Sequence, residues 1–174
     1  ISELFGYEKG AFTGANQQKK GIVEISDGRM LYLDEIGNIP FENQGVFLRF
    51  LQFGEWKRVV ATKINRSTIQ VVAATNKNIN DKTVFRSDLK DRFHETIFLP
   101  PLRERSGDIR ILTDYFLSRA NKNVFFDESV YAKLEEFSWS GNVRELKMWI
   151  SRICRKYKDI HLGWDEIPNL LKPE

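Results

Sequence analysis

Two adjacent carboxylates follow a short apolar run in the first quarter of the chain. The run from Met30 to Leu33 is typical of a strand buried on both faces, and Asp34 and Glu35 come directly after it. Residues in that position lie at the carboxyl edge of a sheet, where open α/β folds bind ligands. One carboxylate could hold Mg²⁺ through water while the other activates a water that attacks a phosphate. A solvated strand end is the alternative, and the pair alone does not decide.

A second apolar run ends in polar residues of a complementary kind. Val71 to Ala74 reads as a buried strand, and Thr75 and Asn76 follow it. If the two strands are neighbours, Asn76 reaches the same edge, where its amide could bind a phosphate or the attacking water. An ordinary turn is the alternative, because Asn is frequent in turns.

Three arginines could neutralise charge on a transferred phosphoryl group, from the same subunit or from a neighbouring one. Arg86 and Arg92 lie six residues apart, and each could instead pair with Asp88 or Asp91 at the surface. Arg144 lies at the start of a predicted helix and has the same two interpretations.

The elements that must position these residues change character along the chain. A Gly-rich loop is expected within residues 1–20, and a helix is predicted over 40–53, where Gly54 ends it. Strands are predicted over 56–61 and 68–74, joined by a turn at 63–66, with a last strand at 97–99. Beyond Pro100 and Pro101 the sequence predicts helices only: one over 108–119, one capped by Asp127, and one containing residues 143–157. We therefore expect a mixed α/β part over residues 1–101 and a helical part over 102–174.

Composition narrows the function classes. The chain has 174 residues, 27 basic and 24 acidic, for a net charge of +3, too weak by itself to indicate nucleic acid. One Cys excludes an internal disulfide, and with two His it makes a Cys/His zinc site untenable. No apolar run reaches membrane-spanning length. Because the chain starts without Met, we expect a fragment.

Six short motifs occur along the chain in a fixed order. They are Gly10-Ala11-Phe12-Thr13-Gly14-Ala15, Leu33 to Gly37, Ala73 to Asn76, Phe85 to Arg92, Leu99 to Arg105, and Trp139 to Leu146. Together they closely resemble the central AAA+ domain of the bacterial sigma-54-dependent transcriptional activators. The resemblance covers about residues 2 to 150 and implies an AAA+ P-loop NTPase-type three-layer α/β core followed by a small helical lid.

The resemblance implies a role for each matched position. The loop of Gly10, Ala11, Phe12, Thr13, Gly14 and Ala15 would touch sigma-54, mainly through Phe12 and Thr13. Asp34 and Glu35 would be the Walker B pair, with Asp34 holding Mg²⁺ and Glu35 activating water. Asn76 with Thr75 would be sensor I, Arg86 and Arg92 would reach the adjacent subunit's site, and Arg144 would be the sensor II arginine of the lid.

The resemblance also implies partners and cofactors. These are ATP and Mg²⁺, the sigma-54 RNA polymerase holoenzyme, and a ring of identical subunits, usually six. ATP hydrolysis in the bacterial cytoplasm would drive promoter opening in response to a signal, as in two-component systems. Promoter DNA would be bound through a separate domain.

One departure from the family pattern bears on activity. No Gly-x-x-x-x-Gly-Lys occurs in the 174 residues, and there is no Gly-Lys dipeptide, so we expect the phosphate-binding P-loop to precede this chain. By itself the chain should hydrolyse no ATP. Smaller departures are Ser140, where the family usually has Pro, and Val60, where Gly is common.

Two other functions remain open. One is a non-catalytic module that binds sigma-54 through the loop. The other, less favoured, is DNA binding through residues 144–158, which contain six basic residues and only one Glu. Such a run of charges is also typical of a solvated helix face.

Overall fold

A computed structural model describes residues 1–120, 122–169 and 173. The chain divides into two compact units, Ile1–Thr96 and Ile97–Glu174. Each unit is built around its own set of buried apolar residues.

The first unit is a mixed α/β structure of short elements. Its helices are α1 (Ser2–Phe5), α2 (Ile22–Ile25), α3 (Gln44–Phe53) and α4 (Ser87–Lys90). Its strands are β1 (Gly6–Tyr7), β2 (Lys19–Lys20), β3 (Met30–Leu33), β4 (Glu55–Trp56), β5 (Asn65–Arg66) and β6 (Gln70–Ala73). Strand β3 pairs with β6 in parallel, whereas β1 pairs with β2 and β4 with β5 in antiparallel fashion.

Strand β3 forms where it is predicted, but the expectation that both of its faces are buried is wrong. Leu31 is buried, while Met30 and Tyr32 are 62% and 58% exposed. Successive side chains of a strand point to opposite faces. In the described chain β3 and β6 form a two-stranded sheet, and one of its faces remains open to solvent.

The predicted pairing of residues 56–61 with 68–74 is also wrong. Trp56 pairs with Asn65, inside the segment expected to be a turn, and Val59 forms a single bridge to Tyr7. Strand β6, which begins at Gln70, pairs with β3 and not with β4. Both predicted strands are therefore shorter than expected.

Helix α3 shares a buried apolar cluster with Leu31 of β3. It lies within the predicted helix over 40–53, whose first part forms a 3-10 turn at Phe41–Asn43 instead. Phe47 and Phe50 are buried, as their helical spacing requires. Gly54 ends the helix in a left-handed conformation with φ of 67°, which glycine adopts without steric cost.

The second unit contains the three predicted helices, α5 (Gly107–Ala120), α6 (Glu128–Glu136) and α7 (Asn142–Lys156). It also contains a parallel strand pair, β7 (Val124–Phe126) and β8 (Ile160–Leu162), so the expectation of a purely helical second part is wrong. The strand predicted at 97–99 is absent as well. Those three residues have no regular secondary structure and are about four-fifths exposed, and within the described residues no strand pairs with them. No helix within the described residues is long and apolar enough to cross a membrane.

Candidate functional site

The parallel pairing of β3 with β6 brings two polar strand ends to the same edge. Leu33 is opposite Ala73, so both strands end together. The amide of Ala74 donates to the Leu33 carbonyl at 2.9 Å, and the amide of Ile36 donates to the Ala74 carbonyl at 3.0 Å. Asp34 and Glu35 therefore lie beside the loop that carries Thr75 and Asn76.

Gly37 allows these two loops to approach closely. A Cβ atom at this position would lie 2.4 Å from Thr75 Oγ1 and 2.8 Å from the side chain of Lys77. Thr75 Oγ1 is itself held, since it accepts a hydrogen bond from the Lys77 amide at 3.1 Å. Any larger residue at position 37 would push the Asp34–Glu35 segment away from Thr75.

Glu35 has an unusual backbone conformation, and its side chain accepts a local hydrogen bond. Its φ of 53° is left-handed, a region that costs a non-glycine residue about 1 kcal/mol or more and that recurs at functional sites. Asn38 Nδ2 donates to Glu35 Oε2 at 2.8 Å. The exposed carboxylate is thereby oriented by a neighbour three residues on, a contact that the sequence analysis missed.

Asp34 is the candidate magnesium ligand at this edge. Its Oδ1 accepts the Glu35 amide at 3.0 Å, and the carboxylate is exposed at the sheet edge. Among the described residues no group of three or more Asp, Glu, His or Cys could enclose a metal. A single carboxylate fits Mg²⁺, which usually binds one or two carboxylates together with waters and phosphates.

Arg86 is positioned by a buried amide that the sequence analysis also missed. Gln44, fully buried in α3, accepts the Arg86 amide at 2.9 Å and donates to the Val84 carbonyl at 2.8 Å. The guanidinium pairs with Asp88, with Nη2 to Oδ2 at 2.7 Å. A polar residue on the apolar face of a predicted helix was the available signal for Gln44.

The other two arginines lie at the surface. Arg92 follows α4 and is exposed, without an ion pair to any described residue. Arg144 lies in the first turn of α7 in the second unit, also exposed and without an ion pair there. The structure thus brings Asp34, Glu35, Thr75 and Asn76 together, with Arg86 and Arg92 elsewhere in the same unit.

The motif around Arg144 fixes the start of α7. Asn142 Oδ1 accepts the Leu102 amide at 2.7 Å, and Glu145 Oε2 accepts the Gly141 amide at 2.8 Å. Both contacts satisfy backbone donors that would otherwise lack partners. They leave the Arg144 side chain on the exposed surface of the helix.

Residues 10–15 form a closed loop with an exposed tip. The Gly10 amide donates to the Ala15 carbonyl at 2.8 Å, and Ala15 is buried. Gly10 and Gly14 have φ of 83° and 100°, which requires glycine. Phe12 is 49% exposed, and its ring contacts that of Tyr7 edge to face, with centroids 4.9 Å apart.

Arg58 anchors the base of this loop. Its Nη1 donates to Glu8 Oε1 at 3.0 Å, and its Nη2 donates to Glu24 Oε2 at 2.7 Å. Hydrogen bonding by Arg58 lowers the pKa of the Glu24 carboxyl, more than the partial burial of Glu24 raises it. Nothing in the sequence pattern pointed to Arg58, since its two partners lie 50 and 34 residues away.

Comparison with known families settles the relationship of the chain. A model described as the sigma-54 interaction domain matches residues 1–98. The chain belongs to this family. A second model, the AAA+ ATPase lid domain, matches residues 103–174, so the resemblance found in the sequence is confirmed.

Curated relatives of this sigma-54 interaction domain are transcriptional regulators. The chain is 43% identical over 182 aligned residues to the alginate biosynthesis transcriptional regulatory protein AlgB of Pseudomonas putida, covering 96% of this chain and 40% of AlgB. It is 45% identical over 159 residues to the Nif-specific regulatory protein of Rhodobacter capsulatus. That alignment covers 87% of this chain and 28% of the relative. The chain thus spans less than half the length of these relatives.

Solved structures confirm the AAA+ α/β core with a helical lid. The NtrX protein of Brucella abortus in complex with ADP superposes with a TM-score of 0.83 at 28% identity, covering 98% of this chain and 40% of NtrX. The complex of NtrX with ATP gives a TM-score of 0.80 at 28% identity, covering 98% of this chain and 41% of NtrX.

Proposed function

We propose that this sigma-54 interaction domain belongs to an ATP-dependent transcriptional activator. It would supply the part of the ATPase site at the carboxyl ends of β3 and β6, and the loop that contacts sigma-54. The observation that carries the proposal is the parallel register of β3 and β6, which places Asp34 and Glu35 beside Thr75 and Asn76. In this proposal Asp34 holds Mg²⁺ through water, and Asn76 with Thr75 contacts the terminal phosphate or the attacking water. Nucleotide-bound NtrX supports ATP as the nucleotide, at the level of the family.

Glu35 is the proposed base. A carboxylate can orient the attacking water and accept its proton, provided that its own position is fixed. The hydrogen bond from Asn38 and the constrained backbone at Glu35 supply that fixation. Bound Mg²⁺ would neutralise charge developing on the phosphate oxygens.

The arginines complete the proposed site between subunits of a ring, which the family pattern gives as a hexamer. Arg86 and Arg92 would act on the nucleotide of the adjacent subunit, and Arg144 on that of its own. Exposure of Arg92 and Arg144 supports such roles. To bind a phosphate, the Arg86 side chain would have to leave its ion pair with Asp88. Breaking this pair would cost little free energy, because both side chains are partly exposed.

The loop at 10–15 is the proposed contact with sigma-54 RNA polymerase holoenzyme. The match of the sigma-54 interaction domain to residues 1–98 supports this proposal, and the closed loop leaves Phe12 half exposed at its tip. Movement of this loop on hydrolysis would open promoter DNA.

A chimera tests the hydrolytic part. Residues 1–174 replace the aligned segment of Pseudomonas putida AlgB, and a chimera that hydrolyses ATP is the reference. Glu35→Gln should retain ATP binding and slow hydrolysis by about 10²-fold or more. Glu42→Gln, at another exposed glutamate, is the matched control and should change nothing. Undiminished turnover in Glu35→Gln would remove Glu35 from this role.

Subunit mixing tests the arginines in the same chimera. Arg86→Ala and Glu35→Gln subunits should each be inactive alone, yet mixed rings should regain some activity. One interface then receives an intact arginine from one subunit and an intact glutamate from the other. Mixed rings without recovery would show that Arg86 acts within its own subunit.

A second candidate is a non-catalytic sigma-54-binding module. The lack of any Gly-Lys dipeptide among the 174 residues favours it for this chain taken alone. Calorimetry on the 174-residue chain decides: micromolar, stoichiometric ATP binding would exclude this candidate, whereas sigma-54 binding without ATP binding would support it.

A further inference from the structure

Helix α7 has two faces of opposite character. Its buried face carries Leu146, Trp149, Ile150, Ile153 and Cys154 and packs in the core of the second unit. The opposite face is solvent-exposed and carries the basic residues Arg144, Lys147, Arg152 and Arg155 together with Met148 and Ser151. We refer to the four basic residues as the basic face.

Acidic side chains in the described part of the chain do not neutralise the basic face. None of its four residues forms an ion pair with any described residue. The one acidic residue of the helix, Glu145, is occupied in accepting the Gly141 amide.

Helix stability does not explain all of these cations. Arg155 lies in the last turn, where a positive charge interacts favourably with the helix dipole. Lys147 and Arg152 lie in the middle of the helix, where that effect has fallen off. The helix dipole therefore does not account for these two positions.

We propose that the basic face binds the phosphate backbone of duplex DNA without regard to sequence. From Lys147 to Arg155 the cations extend over about 12 Å of helix. Duplex DNA carries one negative charge per about 1.7 Å of axis, so a straight array of this length can meet several phosphates at once. Met148, 58% exposed between them, can contact sugar carbons. This proposal goes beyond the proposed function and does not depend on it.

Salt-dependent binding of the 174-residue chain to a short labelled duplex of arbitrary sequence tests the proposal by fluorescence anisotropy. Neutralising three phosphate contacts should lower the magnitude of the slope of log K against log salt by about 2.7. The test variant is Lys147→Gln/Arg152→Gln/Arg155→Gln, which spares Arg144. Single Arg152→Gln should lower the slope by about 0.9, and it guards against misfolding of the triple variant.

The matched control removes the same net charge elsewhere. Lys57→Gln/Lys63→Gln/Lys82→Gln alters three exposed lysines of the first unit and should leave the slope unchanged. Absence of binding at low salt, or an equal loss of slope in the control, would overturn the proposal. Displacement of the duplex by poly-glutamate at equal charge would overturn it in favour of an acidic protein partner.

Discussion

The guanidinium of Arg58 lies 2.7 Å from the carboxylate of Glu24, and the side chains of both residues are mostly buried. The same guanidinium reaches Glu8 at 3.0 Å. Helix α2 and the base of the loop at residues 10–15 are thereby joined through one side chain. We infer that Arg58 holds the loop base in place while the tip remains exposed.

Arg58→Met should destabilise the fold, because it leaves two carboxylates without their shared cation. Loss of charged hydrogen bonds at a partly buried site costs about 1–3 kcal/mol. Denaturant unfolding of the 174-residue chain measures the effect. Arg66→Met, which removes an arginine that is 77% exposed, is the control and should cost little. Equal costs for the two variants would show that Arg58 is an ordinary surface residue.

Stability should fall on acidification below about pH 5. Arginine partners lower the pKa of Glu24, Glu55 and Asp88 below the ordinary values of 4.5 and 3.8. Between the folded and the unfolded pKa values of these carboxyls, the unfolded chain binds more protons than the folded chain. The ion pairs therefore contribute fully to the free energy of unfolding above the unfolded pKa values, and this contribution is lost as the pH falls through the folded ones. Melting temperatures from pH 7 to 3 measure the change. Unaltered melting at pH 3 would contradict these pairings.

Val60→Gly should stabilise the chain. Val60 has φ of 67° and is 72% exposed, so a β-branched residue occupies a left-handed conformation without a packing benefit. Relief of that strain, reduced by the extra chain entropy of glycine, should give a net gain of about 1 kcal/mol. Val59→Gly is the adjacent control and should destabilise, since Val59 bridges to Tyr7. A melting temperature of Val60→Gly below that of the unaltered chain would show that the backbone at Val60 is not strained.

Local patterns predicted the elements that are set by local physics. Strand β3, helix α3 and the three helices of the second unit lie where apolar periodicity and Gly or Pro signals put them. The shared edge of Asp34 and Asn76 followed from two apolar runs that each end in polar residues, although neither strand is buried on both faces. That expectation succeeded because parallel neighbours align their carboxyl ends.

Features that depend on distant partners could not be predicted. Residues 97–99 are apolar enough for a strand, but strand formation needs a neighbour, which composition does not reveal. Strands β7 and β8 are three residues each, too short for a periodic signal. Arg58 and Gln44 act through contacts more than 30 residues away, where a single sequence carries no pairing information.

The loop at residues 10–15 carries the proposed contact with sigma-54. Phe12 is half exposed and touches Tyr7, so it is neither fully projected nor part of a core. We expect Phe12→Ala to remove a partner contact while leaving the folded domain intact. Phe53→Ala, at a similarly exposed phenylalanine of α3, is the matched control.

The most direct test measures ATPase rate and open-complex yield on one preparation of the AlgB chimera, with sigma-54 RNA polymerase and a sigma-54-dependent promoter. The account predicts that Phe12→Ala keeps the ATPase rate and melting temperature of the parent chimera and loses open complexes, whereas Phe53→Ala keeps all three. Open complexes at the parental level in Phe12→Ala, or a joint fall of ATPase rate, yield and melting temperature, would contradict it.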